Sequence, residues 1–221
     1  MNAYYRFLAQ IIRQVIAKPS RQLLSKRMSI QPFPAIKEWL NEGKSIIVVM
    51  GHVGNWEWAG LYLGMLYPAQ VCALYKQIKS KPINNWMLRR RKSTVDYLVE
   101  ISKIGDLLRL IKTRPVLILM IADQNPGNDK GIIWTSFLNK ETAFANGAET
   151  LATKYNLPVV YLKTMPGMNG GYDLEFETIY DGNENLHAGE ITSRYARSLE
   201  KNILQYKHGW LWSHKRWKRS K

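Results

Sequence analysis

A histidine and a glutamate lie five positions apart in the segment Gly51-His-Val-Gly-Asn-Trp-Glu57. The apolar run Ile46–Met50 before it predicts a buried strand, the two glycines mark a turn, and Asn55 has the side chain of a helix N-cap. His52 would then emerge at the carboxyl end of the strand, where open α/β sheets bind their ligands. Glu57, in the first helical turn, would be close enough to hydrogen-bond the imidazole. The pattern predicts a general base with an acid that orients it.

A second pair of polar residues follows the most hydrophobic run of the chain, Val116–Ala122. Asp123 and Gln124 come directly after this predicted strand. If the strand neighbours the first one, Asp123 would reach the same crevice as His52. An aspartate in this place is also typical of the first residue of an Asx-type turn, and the pattern alone leaves both interpretations open.

Other catalytic schemes find little support in the sequence. The chain has no Gly-x-Ser-x-Gly segment, and its single cysteine, Cys72, lies in an apolar run that predicts a core thiol. The histidines His187, His208 and His214 have no metal-ligand spacing with cysteines or with one another. We therefore assign neither a metal nor a protein nucleophile, and we expect His52 to activate a hydroxyl group of a substrate toward an already activated acyl or similar group.

The composition predicts a globular domain with an anionic partner. The 221 residues are 46% hydrophobic, and 32 Lys and Arg against 17 Asp and Glu give a net charge of +15. The basic cluster Arg89–Lys92 is either a solvated helix face or a phosphate-binding surface. The segment His208–Lys221 interleaves tryptophans with lysines and arginines, which suits either nucleic-acid stacking or anchoring at a membrane interface.

Helices and apolar strands alternate along the chain, which predicts a three-layer αβα domain with a mixed, mostly parallel central sheet. The sheet is mixed because a turn at Gly170-Gly171 connects the last two strands. Predicted strands are Ile46–Met50, Gln70–Tyr75, Val116–Ala122, Leu157–Lys163 and Tyr172–Tyr180, and a loop is predicted at Asn125–Asp129. Predicted helices are Tyr4–Ala17, Ala35–Asn41, Asn55–Leu66, Trp86–Lys92, Leu98–Ile111, Ala145–Tyr155 and Ile191–Tyr206.

We divide the chain into an N-terminal segment, residues 1–34, and an α/β domain, residues 35–221. The N-terminal segment contains an amphipathic helix followed by a basic connector. The helix either lies on a membrane surface or packs on the domain. No run approaches the roughly 20 apolar residues needed to cross a bilayer.

Three separated motifs resemble the bacterial late acyltransferases of lipid A biosynthesis, within the lysophospholipid-acyltransferase-like group. Gly51–Glu57 resembles the H-x₄-D/E box of that family in its Glu form, and Ala122–Pro126 resembles its D-Q segment. Trp210–Trp217 resembles its closing W-x-W-x-H-x-R-W motif, and the match spans roughly residues 36 to 219. The resemblance implies a lysophospholipid-acyltransferase-like fold for residues 35–221.

The resemblance also implies an activity. A fatty acyl chain would pass from acyl carrier protein to a hydroxyl group of a phosphorylated glycolipid, a lipid A precursor. The enzyme would attach peripherally or monotopically to the anionic cytoplasmic face of the inner membrane. No cofactor is implied beyond the carrier-protein thioester, which is a co-substrate, and no nucleic-acid partner is expected. The alternatives are acylation of another hydroxylated lipid or pigment, and a non-enzymatic basic module that binds nucleic acid or anionic membrane.

By the same resemblance, His52 would be the base, Glu57 its orienting acid and Asp123 an active-site residue. Lys76 and Arg89 are candidates for stabilising the oxyanion or for binding lipid phosphate. The residues predicted to contact substrate are Asn55, Lys76, Arg89, Gln124, Trp212, His214 and Arg216.

Overall fold

A computed structural model describes residues 2–16, 19–127 and 131–219 of the protein. Outside this description lie Ala17 and Lys18, residues 128 and 129 of the predicted loop, and the last two residues of the C-terminal tail. The helices are α1 (Ala3–Ile16), α2 (Arg21–Arg27), α3 (Pro34–Asn41), α4 (Trp56–Leu66), α5 (Lys81–Arg91), α6 (Ile104–Thr113), α7 (Gly147–Tyr155) and α8 (Glu190–Gln205). The strands are β1 (Met28–Ile30), β2 (Ile46–Met50), β3 (Val71–Tyr75), β4 (Tyr97–Glu100), β5 (Leu117–Ile121), β6 (Ile132–Phe137), β7 (Lys140–Ala145), β8 (Val159–Pro166) and β9 (Tyr172–Tyr180).

In the described part of the chain, seven strands form one mixed sheet in the order β1-β9-β8-β2-β5-β3-β4. Strands β8, β2, β5, β3 and β4 are parallel, β9 is antiparallel to β8, and β1 is parallel to β9. We call the side at which the five parallel strands end the carboxyl edge. The chain leaves β2 through α4 toward β3 and leaves β5 toward β8, on the other side of β2. The carboxyl edge between β2 and β5 is therefore a topological switch point, the usual ligand site of such sheets.

The sheet separates two apolar cores, which confirms the three-layer architecture. One core lies under α1 to α4 and includes Phe7, Leu24, Ile36, Trp58 and Leu63. The other lies under α6 to α8 and the β6–β7 hairpin and includes Leu107, Phe144, Leu151 and Leu199. Every residue of β2 is buried, as expected for a central strand that is covered on both faces.

The β6–β7 hairpin was not predicted. Its strands pair antiparallel from Ile132 with Ala145 to Phe137 with Lys140. Leu138 and Asn139 form the connecting turn with φ of 51° and 60°, as a two-residue hairpin turn requires. Leucine is unusual at such a position, so the sequence lacks the Asn-Gly or Asp-Gly signal of this turn.

The predicted helix Leu98–Ile111 was wrong in its first part. Residues 97–100 form β4, which pairs in parallel with β3, and α6 begins only at Ile104. Leu98 and Ile101 share a helical spacing with the later apolar residues by coincidence. Pairing with β3 determines the conformation of this segment, and this long-range contact overrides the local pattern.

The predicted basic connector contains regular structure. Residues 21–27 form α2, with Ser20 accepting a hydrogen bond from the amide of Leu23 as an N-cap, and β1 joins the sheet beside β9. The helix α1 packs on the domain through Phe7 and Ile11, which are buried in the same core as α3 and α4. Within the described ranges, none of the helices combines the length and apolar character needed to cross a membrane.

Candidate active site

The turn after β2 brings His52 to the carboxyl edge. Gly54 has φ +60° and a Cβ there would lie 2.5 Å from Thr164 Cγ2, so the tight turn requires glycine. Asn55 is completely buried, and its Oδ1 accepts a hydrogen bond from the amide of Trp58, which confirms it as the N-cap of α4. The side chain of Asn55 therefore fixes the turn from inside the protein, and the structure does not place it on a substrate-facing surface.

Strand pairing places Asp123 beside His52. Met50 at the end of β2 pairs with Ile121 at the end of β5, and His52 and Asp123 each follow two residues later. Asp123 Oδ1 lies 2.6 Å from His52 Nδ1, and Oδ2 accepts a hydrogen bond of 2.9 Å from the backbone amide of His52. One carboxylate thus holds both the main chain and the ring of the histidine. The prediction that Asp123 reaches the same crevice is confirmed.

Asp123 is held as an anion by a ring of donors. Trp210 Nε1 donates a hydrogen bond of 2.8 Å to Asp123 Oδ2, and both residues are buried. Burial would raise the pKa of Asp123, but the charge of His52 and the hydrogen bonds from His52 and Trp210 lower the pKa below its ordinary value. A carboxylate at Nδ1 fixes the tautomer in which Nδ1 carries the proton and Nε2 has a free electron pair.

The Nε2 side of His52 faces the outside of the protein. The histidine side chain is 16% exposed, and the amide nitrogen of Gln124 lies 3.4 Å from Nε2. The Trp56 ring contacts the imidazole edge-on, with the ring centroids 4.8 Å apart. The accessible nitrogen of His52 can therefore accept a proton from a bound hydroxyl group, which is the geometry of a general base.

Glu57 does not orient His52, contrary to the sequence prediction. Its carboxylate forms a two-pronged ion pair with Arg91 of α5, with Nε to Oε2 at 3.0 Å and Nη2 to Oε1 at 2.5 Å. The pair is largely buried, with side-chain exposures of 14% for Glu57 and 22% for Arg91. Glu57 thus links α4 to α5, and Asp123 occupies the position at the imidazole that the sequence assigned to Glu57.

The model of the family described as bacterial lipid A biosynthesis acyltransferase matches residues 1–219. The chain belongs to this family. Comparison with curated proteins gave no significant match.

The C-terminal motif of this acyltransferase closes the turn that carries His52. Val53 forms an antiparallel bridge with Trp210, the amide of Gly54 donates to Gly209 O, and the amide of Leu211 donates to His52 O. The motif therefore encloses the turn that carries His52 through the main chain, and the indole of Trp210 reaches Asp123 from the same segment. The contact between Trp210 and Asp123 was not predicted from the sequence.

The structure gives His214 and Arg216 internal partners. His214 Nε2 accepts a hydrogen bond from the amide of Asn125 and so fixes the loop that follows Asp123. Arg216 is 2% exposed, donates from Nη2 to Ala143 O and stacks over the Phe144 ring. Its Nε and Nη1 groups have no hydrogen-bond partner among the described residues. Both side chains contact neighbouring parts of the protein and not an open surface. Their predicted contact with substrate finds no support in this arrangement.

Arg216 also contributes to the electrostatics of the acyltransferase site. Burial lowers the pKa of Arg216 to about 10, and the negative charge of Asp123 opposes this change. Arg216 therefore remains a buried cation at neutral pH. Its charge partly balances that of Asp123 and favours the ionised carboxylate.

Three further residues that were predicted to contact substrate, Lys76, Arg89 and Trp212, are exposed. Lys76 follows β3 at the carboxyl edge, and its Nζ lies 3.9 Å from where a Cβ on Gly127 would be, in the loop after β5. Trp212 is 42% exposed, and its ring contacts that of Trp210 with centroids 4.5 Å apart. Arg89 is exposed on α5. The structure thus brings Lys76 and Trp212 to the surroundings of the turn that carries His52. Arg89 lies on α5, the helix that Glu57 contacts through Arg91.

The sequence contained a signal for two contacts that were not predicted, those of Asp123 with Trp210 and of Glu57 with Arg91. A buried tryptophan needs an acceptor for its indole N–H, and a buried carboxylate needs donors, so a Trp-rich motif in a chain with a candidate buried Asp suggested a pair. The Arg89–Lys92 cluster contained the partner of Glu57, but spacing could not show which arginine pointed inward.

Among the described residues, no group of three or more His, Cys, Asp and Glu side chains is arranged to hold a metal ion.

Proposed function

We propose that this acyltransferase moves a fatty acyl chain from the thioester of acyl carrier protein to a hydroxyl group of a lipid A precursor. One observation carries the proposal: His52 is tied to the buried Asp123 at the switch point of the sheet and presents Nε2 outward. Membership in the lipid A acyltransferase family supports the class of acceptor. The arrangement suits a base that deprotonates a substrate hydroxyl.

In the proposed reaction, His52 Nε2 accepts the proton of the acceptor hydroxyl while its oxygen attacks the thioester carbonyl carbon. The tetrahedral intermediate collapses by breaking the carbon–sulfur bond. The leaving thiolate then takes the proton back from Nε2, which gives an ester and the carrier-protein thiol. Asp123 holds the Nδ1–H and stabilises the imidazolium that forms between the two proton transfers. No covalent acyl-enzyme is required in this sequence.

The side-chain amide of Gln124 provides a hydrogen-bond donor close to His52 Nε2, the proposed reacting nitrogen. Its amide nitrogen, 3.4 Å from His52 Nε2, can turn toward the carbonyl oxygen as negative charge develops there. Lys76 stands at the same edge, where its charge suits either the oxyanion or a phosphate group of the acceptor. We assign Gln124 to the oxyanion and Lys76 to the phosphate.

The proposed partners share a negative charge. Acyl carrier protein, a phosphorylated glycolipid and the inner leaflet are all acidic, and the net charge of +15 complements each of them. We propose peripheral attachment to the cytoplasmic face of the inner membrane, where donor and acceptor meet.

A complementation experiment tests the proposal. In cells that lack the native gene, the parent chain should add one acyl group to lipid A, measured as one acyl mass by mass spectrometry. The His52→Ala variant, produced at the same level, should add none. Acyl transfer to a different hydroxylated lipid would show that the acceptor is wrong, and full activity of His52→Ala would show that the mechanism is wrong.

A further inference from the structure

The helix α1 has two apolar faces, and the described residues cover only one of them. Phe7 and Ile11 are buried in the core against the domain. On another face, residues 5, 9, 12 and 16 follow one another at helical spacing and are all exposed: Tyr5, Ala9, Ile12 and Ile16. We call these four residues the α1 stripe. Tyr5, Ile12 and Ile16 are 61%, 58% and 64% exposed, so the stripe is a continuous apolar surface without a cover in the described chain.

The helix that carries the α1 stripe is fixed at both ends to elements near the candidate active site. Near its start, Tyr4 Oη accepts a hydrogen bond of 2.8 Å from the amide of Ser213, and Phe7 packs edge-on against Tyr206. At its end, Arg90 Nη1 donates a hydrogen bond of 3.2 Å to Ile16 O. The orientation of the α1 stripe is therefore set relative to the C-terminal motif and to α5.

The two helices that meet at the end of the α1 stripe, α1 and α5, carry charges of one sign. By sequence, α1 and α5 contain no acidic residue, and both contain arginines. Arg6 is exposed beside the stripe, and the exposed residues Arg89 and Lys92 lie near the end of α5 that contacts Ile16 through Arg90. An exposed apolar stripe with cations at its sides is typical of a helix that lies in the interface of an anionic membrane.

We propose that the α1 stripe is the surface by which this protein docks on an anionic phospholipid bilayer. Tyr5, Ile12 and Ile16 enter the region between headgroups and acyl chains, while the neighbouring arginines bind lipid phosphates. A second copy of the chain fits less well, because a two-fold contact through α1 would bring the same cations face to face. This inference rests on the membrane attachment proposed above and names the surface responsible for it.

Vesicle binding by the purified 221-residue chain tests the inference. The parent is compared with an Ile12→Ser, Ile16→Ser double variant on vesicles of phosphatidylcholine with about 30% phosphatidylglycerol. Both positions are exposed and the net charge is unchanged, so the fold should persist, as checked by circular dichroism. Loss of the two isoleucine side chains, which would be buried only in the bilayer, should weaken binding by about 10- to 100-fold. Pure phosphatidylcholine vesicles should bind the parent more weakly, and equal binding would overturn the choice of an anionic surface.

Ile101→Ser provides the matched control. Ile101 is 56% exposed and follows β4 at the far edge of the sheet. This variant should bind as the parent does, and an equal loss of binding would overturn the assignment to α1. Binding of the double variant at the parent's affinity would also overturn it, while leaving membrane attachment intact. If the parent binds no vesicles, the proposed attachment fails as well.

Two further measurements test whether the α1 stripe binds another protein instead of a bilayer. The first is sedimentation of the chain in the absence of vesicles. The parent and the double variant should have the same mass in solution. If the parent is a dimer that the double variant loses, the α1 stripe is a contact between copies and the proposal is wrong. The proposal is likewise wrong if the double variant loses binding to acyl carrier protein but not to vesicles.

Discussion

The change Asp123→Asn keeps the shape of the side chain and should reverse the tautomer of His52. The Oδ2 position accepts two N–H groups, from the His52 amide at 2.9 Å and from Trp210 Nε1 at 2.8 Å. The single oxygen of asparagine must take this position to satisfy both. Its NH₂ group is then forced to face His52 Nδ1, which must accept a hydrogen bond and leave the proton on Nε2. A protonated Nε2 cannot act as the base.

The size of the effect follows from the same two hydrogen bonds. Restoring the active tautomer requires the amide to flip, which leaves two buried N–H groups without an acceptor at a cost of roughly 2–6 kcal/mol. The fraction of the enzyme in the active tautomer, and with it kcat, should fall by about 30- to 3 × 10⁴-fold. KM should change little, because Asp123 is buried behind the histidine and does not face the substrate.

Initial rates of acyl transfer from acyl carrier protein, together with the ¹⁵N shifts of the His52 ring, measure both effects. Glu57→Gln serves as the control, since Glu57 pairs with Arg91 and should leave the His52 tautomer unchanged. Activity of Asp123→Asn within threefold of the parent, roughly 0.65 kcal/mol, would refute the reasoning. So would an Nδ1–H tautomer in that variant, or an altered tautomer in Glu57→Gln.

Three other predictions concern stability and reactivity. Glu57→Gln should lower the free energy of unfolding by about 1–3 kcal/mol in urea, because it leaves Arg91 partly buried without its carboxylate, and adding Arg91→Met should recover part of this loss. His214 has a lowered pKa because of burial, with smaller opposing and supporting effects of neighbouring charges. As the pH falls, the unfolded chain therefore takes up a proton on His214 at a higher pH than the folded protein does. The contribution of His214 to folding stability is complete above about pH 6.5 and is lost as the pH drops toward the folded-state pKa. His214→Gln keeps an acceptor for the Asn125 amide and should reduce this slope; an unchanged slope between about pH 5 and 7.5 contradicts the assignment. Burial raises the pKa of Cys72 to about 12, so iodoacetamide should neither label the native protein nor inhibit it, and stoichiometric labelling without denaturant would show that the thiol is accessible.

Local signals predicted the elements that position His52. The run of β2 is apolar throughout, and the structure gives the strand the predicted bounds. Asn55 caps α4 as predicted, because capping depends on residues that are adjacent in the chain. Strand β9 also has its predicted bounds, since alternation of apolar and polar residues is a property of a single segment.

The pairing of the acids could not be predicted from local spacing. Glu57 is five positions from His52 but points to α5, whereas Asp123 is distant in sequence and adjacent in space. What brings Asp123 to His52 is the register of β2 against β5, which depends on the order of strands in the sheet. Trp210 adds a third distant segment to the same contact. The sequence thus indicated His52 as the candidate base, and its contacts could be seen only in the fold.

The bridge between Val53 and Trp210 has a consequence for protein synthesis. Trp210 is translated roughly 160 residues after His52, or roughly 10 to 30 s later at usual elongation rates. Until then the nascent chain contains the histidine and the aspartate without the segment that encloses them. Until Trp210 has been made, Asp123 therefore lacks the indole hydrogen bond that it accepts in the folded protein.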